Sequence, residues 1–197
     1  MPPRARALPA DERRAAILAA VLPVVLDKGM SASTRELAHA AGVAEGTLFR
    51  VFASKDDLIL AAAKSVFART DHLDQLAGID PTDSLDARLH SAVRIWQGSM
   101  RRIVGVFVTF HADRDRMGDL RGMLDHSIAA RTRDAVAALL APDAEQLRLP
   151  PSEVVAILGA LTMASVHPSH AQVPMTPEHI VDVALHGVVR HSCPCPS

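Results

Sequence analysis

Between residues 11 and 28 the apolar positions Ile17, Leu18, Val21, Leu22 and Val25 recur at i, i+1, i+4, i+5 and i+8, one face of a helix. The rhythm predicts a helix from about Asp11 to Lys28, stopped by Gly29. Pro23 lies inside it and costs about 3 kcal/mol there; because the apolar rhythm continues past it, a bend is expected rather than a break. A short helix over about Thr34–Ala41 follows, capped by Ser33, with a turn at Gly42 and a second short helix over about Ala44–Phe52. Ser54-Lys55-Asp56-Asp57 reads as the start of another helix, with a capping hydroxyl and acids in the first turn, reaching about Gln75. After a break at Gly78–Pro81, helical patterning resumes over Asp83–His111, interrupted at most near Gly105, and again over Met117–Leu140. Residues 141–151, with Pro142, Pro150 and Pro151, read as a loop. Ser152 opens a helix to Val166, and Thr176-Pro177-Glu178 opens a last one to about Arg190. No segment alternates as a strand does, so the pattern predicts an all-α fold of about nine helices.

Composition agrees with helix-on-helix packing. Of the 197 residues 49% are hydrophobic, mostly Ala, Val and Leu, while aromatics are 3% and Tyr is absent. No apolar run is long enough to cross a bilayer. The basic start Met1-Pro2-Pro3-Arg4-Ala5-Arg6 is not followed by an apolar segment with a cleavage site, so a cytoplasmic location is expected. Net charge is -1, but its distribution is uneven: residues 1–55 hold eight Lys/Arg against five Asp/Glu, and the remainder 13 against 17. A basic N-terminal part on a mildly acidic body fits a head that meets nucleic acid.

The segment richest in information is Thr34-Arg35-Glu36-Leu37-Ala38-His39-Ala40-Ala41-Gly42-Val43-Ala44-Glu45-Gly46-Thr47-Leu48-Phe49-Arg50-Val51-Phe52. Two short helices joined at a glycine meet the requirement of a helix-turn-helix. Leu37, Ala38 and Ala41 face inward on the first helix, Ala38 being small where the helices cross. Val43, Leu48 and Phe52 anchor the second. Glu45, Gly46, Thr47, Phe49 and Arg50 are left nearer the outer face, and Gly46, a poor helix former, would let backbone approach DNA closely.

The run Leu-Ala-x-x-Ala-Gly-Val-x-x-Gly-Thr-Leu-Phe-x-x-Phe-x-Ser-Lys-x-x-Leu, from Leu37 to Leu58, resembles the TetR family of transcriptional regulators, with specific likeness over about Ile17–Leu58. The resemblance implies a three-helix DNA-binding head (residues 1–55, with its basic arm) followed by a helical ligand-binding and dimerisation body (56–197). It implies a homodimer on double-stranded DNA at a palindromic operator, acting as a repressor released by a small inducer. By position, Lys55 and Thr34 resemble phosphate contacts, and Thr47, Phe49 and Arg50 lie where the recognition helix meets bases and backbone. Two departures stand out. Phe49 replaces the usual Tyr and loses a phenol-to-phosphate bond, leaving stacking or a thymine-methyl contact. Ala44 replaces the usual Ser and loses a cap. Arg4, Arg6 and Arg35 are placed to compensate through phosphate or minor-groove contacts.

In the body, Trp96, Met100, Phe107, Phe110, Met117, Met123 and Met163 are candidate lining for an apolar or amphipathic ligand, against the simpler reading that they are core. The apolar helices 152–166 and 177–190 are candidates for a four-helix dimer interface, and the helix from Ser54 to Gln75 for a lever between head and body. Other readings carry less. His167, His170, His179, His186 and His191 with Cys193 and Cys195 bring a metal-binding sensor to mind. However, His167 and His170 flank a loop proline and Cys-Pro-Cys lacks zinc spacing, so no metal and no cofactor is expected. Asp113 and Asp115 near His111 imitate an acid–base pair, but Asp-Arg-Asp-Arg reads as a solvated turn; with no phosphate loop or nucleophile motif, the chain is not expected to be an enzyme. A helix-turn-helix regulator without small-molecule control is the remaining alternative.

Overall fold

The computed structural model describes residues 9–167 and 175–187, and all its regular structure is helical. In chain order the α-helices are α1 (Ala10–Lys28), α2 (Thr34–Ala41), α3 (Glu45–Leu48), α4 (Lys55–Ser65), α5 (Asp71–Ala77), α6 (Leu85–Phe110), α7 (Arg114–Gly122), α8 (His126–Leu140), α9 (Pro151–Val166) and α10 (Pro177–His186). Single 3-10 turns follow α1 (Gly29–Ser31) and α8 (Ala141–Gln146). The chain divides into two compact units. Unit 1 takes in the described residues up to Arg69 together with Gly105–Leu124; unit 2 takes in Thr70–Val104 and the described residues from Asp125 on. Residues 9–55 thus lie wholly in unit 1, joined there by 56–69 and by the end of α6 with α7.

Several predicted elements are divided or shortened. The helix expected from Ser54 to Gln75 is two, because the backbone tightens after Ser65: the N–H groups of Val66, Phe67 and Arg69 each bond the carbonyl three residues back, and Ser65 Oγ donates to Ala62 O at 2.7 Å. Val66 and Phe67 are buried by this turn, and Phe67 meets Phe107 at 5.5 Å between ring centroids. A continuous lever over 54–75 is therefore corrected. The helix expected over Met117–Leu140 is likewise two, because Asp125 accepts the N–H of Ser127 and starts α8 afresh. Conversely, α6 runs unbroken through Gly105, where a Cβ would stand 3.4 Å from the Leu26 side chain. Pro150, not Ser152, is the N-cap of α9, with Pro151 at its first position. The start of α10 is as expected, Thr176 Oγ1 accepting the N–H of His179, while residues 188–190 of the expected last helix lie outside the described residues.

In unit 1, α1 packs on α2 and α4 through Ile17, Val21, Leu22 and Val25, closed by Leu37, Leu58, Ile59 and Ala62. Fully burying each such side chain contributes about 1.5–3 kcal/mol. In unit 2, α8 packs on α5 and α9, and α9 on α10, around Leu89, Val93, Trp96, Val136, Leu140, Leu158 and Ile180. Trp96 closes on Gly159: a Cβ there would come within 2.9 Å of its ring. Gln97, buried on α6, donates to Ser165 Oγ and to Met175 O, holding the end of α9 and the approach to α10. The Arg88 guanidinium, also buried, is bound to Asp143 and to the carbonyls of Pro81 and Asp83.

One buried polar pair makes unit 2 sensitive to acid. Thr132 Oγ1 donates to Ile128 O, so at 2.9 Å it can only accept from His72 Nε2. The imidazole is thereby fixed as the Nε2–H tautomer, and Nδ1 is buried with no hydrogen-bond partner among the described residues. Burial pulls the His72 pKa below its ordinary 6.5, with Asp71 opposing and Arg102 and Arg131 assisting. The unfolded chain therefore takes the proton first: stability is complete above about pH 6.5 and is lost as pH falls towards the lower folded value. Urea midpoints measured from pH 7.5 to 5 should decline, and His72→Gln, which keeps a donor to Thr132, should flatten that decline; an unchanged pH profile would count against the assignment.

Candidate nucleic-acid interface

Ser33 and Glu36 form a reciprocal capping box that starts α2. Ser33 Oγ accepts the Glu36 N–H at 3.3 Å, and Glu36 Oε2 accepts from the Ser33 N–H at 2.9 Å and its hydroxyl at 2.7 Å. The other Glu36 oxygen takes Lys28 Nζ at 2.5 Å, tying α2 to the end of α1. Gly42 then turns the chain with φ 66°, a left-handed conformation that favours glycine, and Val43 N–H bonds Ala38 O at 3.1 Å. Leu37 and Ala38 are buried, as the crossing of the two helices requires.

The second helix is shorter than expected. Only Glu45–Leu48 are α-helical, and 49–51 continue as tight turns in which Arg50 and Val51 bond the carbonyls three residues back. Ala44 supplies no side-chain cap, and Gly46 with β-branched Thr47 and Val51 propagates a helix poorly. Tertiary contacts hold it instead. Leu48 and Phe52 are buried, Arg14 Nη1 donates to Val51 O at 3.1 Å, and the Arg14 guanidinium sits 4.3 Å from the Phe52 ring centroid. The next helix, α4, starts with Ser54 Oγ accepting the Asp57 N–H at 3.0 Å.

This framework presents Arg35, Glu45, Gly46, Phe49 and Arg50 as exposed side chains, with Thr34, Thr47 and Lys55 half-buried. Phe49 is 48% exposed, the one large apolar side chain of the helix-turn-helix turned to solvent. Gly46 has an ordinary φ, and a Cβ there would meet nothing within 4 Å, so no contact inside this chain requires glycine. Lys55 Nζ donates to Met30 O at 3.0 Å, seating α4 on the 3-10 turn after α1. Arg4 and Arg6 lie outside the described residues.

Sequence reasoning missed Arg14, the Met30 carbonyl and Thr109. Thr109 Oγ1 donates to Leu26 O at 2.7 Å, and its methyl lies 2.8 Å from where a Gly29 Cβ would stand. Gly29 itself has φ 53°. Arg116 reaches Asp56 at 3.3 Å and Asp113 at 2.5 Å, and Asp113 caps α7, so the expected solvated turn is a helix start. Apart from the local Arg116–Asp113 pair, these partners are far apart in sequence, and no local motif marks them.

The proposed lining residues fall in separate places. Phe107, Phe110, Met117 and Met123 belong to unit 1; Trp96, Met100 and Met163 belong to unit 2. Trp96 and Phe110 are buried, Met117 is at the margin of burial, and Met123 and Met163 are exposed. One pair and one lone group of buried polar atoms in unit 2 were not foreseen: His72 with Thr132, and Thr162, whose hydroxyl is buried on α9 without a partner among the described residues. Among the described residues no group of three or more His, Cys, Asp or Glu is placed to hold a metal ion; His170, His191, Cys193 and Cys195 lie outside them.

Two short helices in this register, one buried to a rigid frame and the other turned outward, define a helix-turn-helix DNA-binding head. Residues 17–62 match the family model of bacterial regulatory proteins, tetR family. The chain is similar in fold to a TetR transcriptional regulator from Streptomyces coelicolor (25% identity, TM-score 0.54, covering 88% of this chain and 97% of that one). FadR from Bacillus subtilis, solved with stearoyl-CoA, shares the fold at 12% identity and TM-score 0.56, covering 89% and 99%. So does LfrR from Mycobacterium smegmatis, solved with proflavine, at 22% identity and TM-score 0.54, covering 91% and 99%.

The capping box makes the head's stability depend on acid. The Lys28 ammonium, then the Ser33 N–H and hydroxyl, hold the Glu36 carboxyl down to about 2 from its ordinary 4.5. The unfolded chain binds this proton near 4.5, so the contribution is present above that pH and lost as pH falls through about 2. Glu36→Gln should remove that part of the acid sensitivity, seen as a smaller drop in thermal midpoint between pH 5 and 2.5; an unaltered drop would assign it elsewhere.

Proposed function

We propose that this regulator is a homodimeric repressor that reads a palindromic operator and is released by a small apolar or amphipathic ligand. The observation that carries the DNA reading is the outward face formed by Glu45, Gly46, Phe49 and Arg50 over a fully buried anchor of Leu48 and Phe52. A glycine that no internal contact requires, beside exposed Arg50 and Arg35, fits backbone approach to a polyanion. Thr34 and Lys55 flank that face as phosphate donors; Lys55 has three donors and spends one on Met30 O. Arg4 and Arg6 are assigned to the same polyanion by charge alone.

Dimerisation is assigned to α9 and α10. Val154, Val155, Leu158 and Thr162 of α9 are buried, yet Ala156, Ile157, Ala160 and Met163 form a second apolar stripe that is exposed, Met163 at 42%. A helix apolar on both sides needs cover on both. A shallow groove of about 410 Å³ along Ala160, Met163, Ala164 and His167 supports a second copy seated there.

Ligand control is supported by two features. FadR and LfrR carry an acyl-CoA and a flat aromatic cation on the same fold. In unit 2, the unpartnered His72 Nδ1 and Thr162 Oγ1 each cost about 1–3 kcal/mol as buried polar atoms, which a ligand polar group would offset. Trp96 and Met100 are the apolar lining assigned to unit 2, Met163 being given to the dimer face instead; Phe107, Phe110, Met117 and Met123 belong to unit 1, with the head. The signal then travels along α6, whose last turns hold α1 through Thr109, in place of an unbroken helix after Ser54.

The test is selection of duplex DNA from random sequence by the full-length protein, followed by affinity measurement at several salt concentrations. A two-fold symmetric site with a steep salt slope is expected; binding without sequence preference would overturn the reading. Lys55→Gln, which keeps a donor for Met30 O, should lower the log–log salt slope by about 0.9 at unchanged thermal midpoint. Gly46→Ala should raise the thermal midpoint, in line with a gain of about 0.5–1 kcal/mol, yet weaken operator binding about tenfold or more. Ligand control is tested by adding long-chain acyl-CoA or proflavine to the operator complex; release by neither, with operator affinity intact, favours the regulator without small-molecule control.

A further inference from the structure

We propose that Phe49 is a specificity residue that reads the 5-methyl group of one thymine in each operator half-site, an inference that rests on the DNA-binding reading above. The ring projects from the end of α3, four residues after Glu45 and next to Arg50, all three exposed. It is exposed where its neighbours Leu48 and Phe52 are buried and fix that segment to the core. Its 48% exposure leaves a large apolar surface in water, and it enters no ring pair within the described residues. A single exposed apolar side chain is ordinary on a protein surface; what distinguishes Phe49 is its place on the outward face of the helix-turn-helix, between exposed Glu45 and Arg50.

Chemistry selects the cover. A phenyl ring has neither donor nor acceptor, so it cannot bond a phosphate or the polar edge of a base. In the major groove, thymine alone of the four ordinary bases presents an apolar group, its methyl. Cytosine at the same position carries a hydrogen where thymine carries the methyl and an amino donor where thymine carries O4, so the ring would lose its apolar contact and stand beside a donor it cannot pair. Adenine and guanine offer only polar atoms along that edge. Insertion between bases would first have to unstack them, and a ring on a short segment held by Arg14 and Phe52 has little freedom to reach that far. The neighbouring Arg50 supplies the positive charge that brings the face to the groove.

The experiment uses the full-length protein and its selected operator, with each thymine replaced singly by deoxyuridine, a change that removes one methyl and nothing else. Affinity is measured for wild type and Phe49→Ala at one fixed salt concentration. At one thymine per half-site, deoxyuridine should weaken wild type by about fourfold, and by about fifteenfold when both half-sites are substituted. Phe49→Ala should bind the unmodified operator more weakly and be indifferent to deoxyuridine at that position. Because the ring is exposed, its thermal midpoint should stay within about 2 °C of wild type. If no thymine is sensitive, or if Phe49→Ala keeps the sensitivity, this inference is overturned while the DNA reading stands. If no operator is selected at all, both are overturned.

Discussion

A helix that ends inside a protein must find partners for its last carbonyls, and the way α1 does so organises the whole of unit 1. The Val25 carbonyl takes the N–H of Gly29, whose positive φ then turns the chain out of the helix. The Leu26 carbonyl takes the hydroxyl of Thr109, from the far end of α6. The Lys28 carbonyl takes Ser31 Oγ, and beyond it the Met30 carbonyl takes Lys55 Nζ at the start of α4. Lys28 itself reaches back to Glu36 in the cap of α2. Four elements are thus positioned around one helix end, each by a hydrogen bond that would be costly to leave unmade. The contact of the Thr109 methyl with Gly29 admits no side chain, so glycine serves the backbone and the packing together.

The second unit follows different physics. Its core is aliphatic, closed by one aromatic over one glycine, Trp96 on Gly159. Polar groups enter it as isolated bonds: His72 to Thr132, Gln97 to Ser165 and Met175, Arg88 to Asp143. Three of their atoms or neighbours, His72 Nδ1, Arg88 Nε and Thr162 Oγ1, have no hydrogen-bond partner among the described residues, and each such buried polar atom costs stability.

What was legible in the sequence were the features with a local cause. Ser33 with Glu36, Gly29, Gly42, Ser54 and Thr176-Pro177 each mark a helix boundary through a side chain or a φ value that needs only near neighbours, and each boundary is found there. The helix-turn-helix was legible for the same reason, since its glycine turn and buried Leu37, Ala38, Leu48 and Phe52 follow from spacing. The breaks at 66–70 and 123–125 were not. Each interrupts a run that is helical by propensity, and each is decided by where the side chains go: Phe67 to Phe107, Asp125 to its own Ser127 N–H. Equally hidden were Arg14 and Thr109, whose partners lie 37 and 83 residues away. The scatter of the aromatic and Met residues between two units has the same origin, for clustering in sequence from Trp96 to Phe110 follows a single helix, α6, that contributes to both.

The recognition segment joins these threads. With one α-helical turn, no side-chain cap and a glycine at its second position, it has little intrinsic reason to be helical. Its geometry is imposed from beneath by Leu48 and Phe52 and from the side by Arg14, which means that its outer residues are relieved of any structural duty. A face held this way can trade polar contacts for shape: Ala44 and Phe49 carry no polar side-chain atom, and in the proposed DNA reading the phosphate contacts are assigned to Thr34 and Arg35 on α2 and Lys55 on α4. The division is physically sensible. Charge acts at a distance and tolerates the half-buried Lys55, already committed to Met30, whereas reading a base edge needs contact, and contact is what an exposed ring beside an open glycine can make.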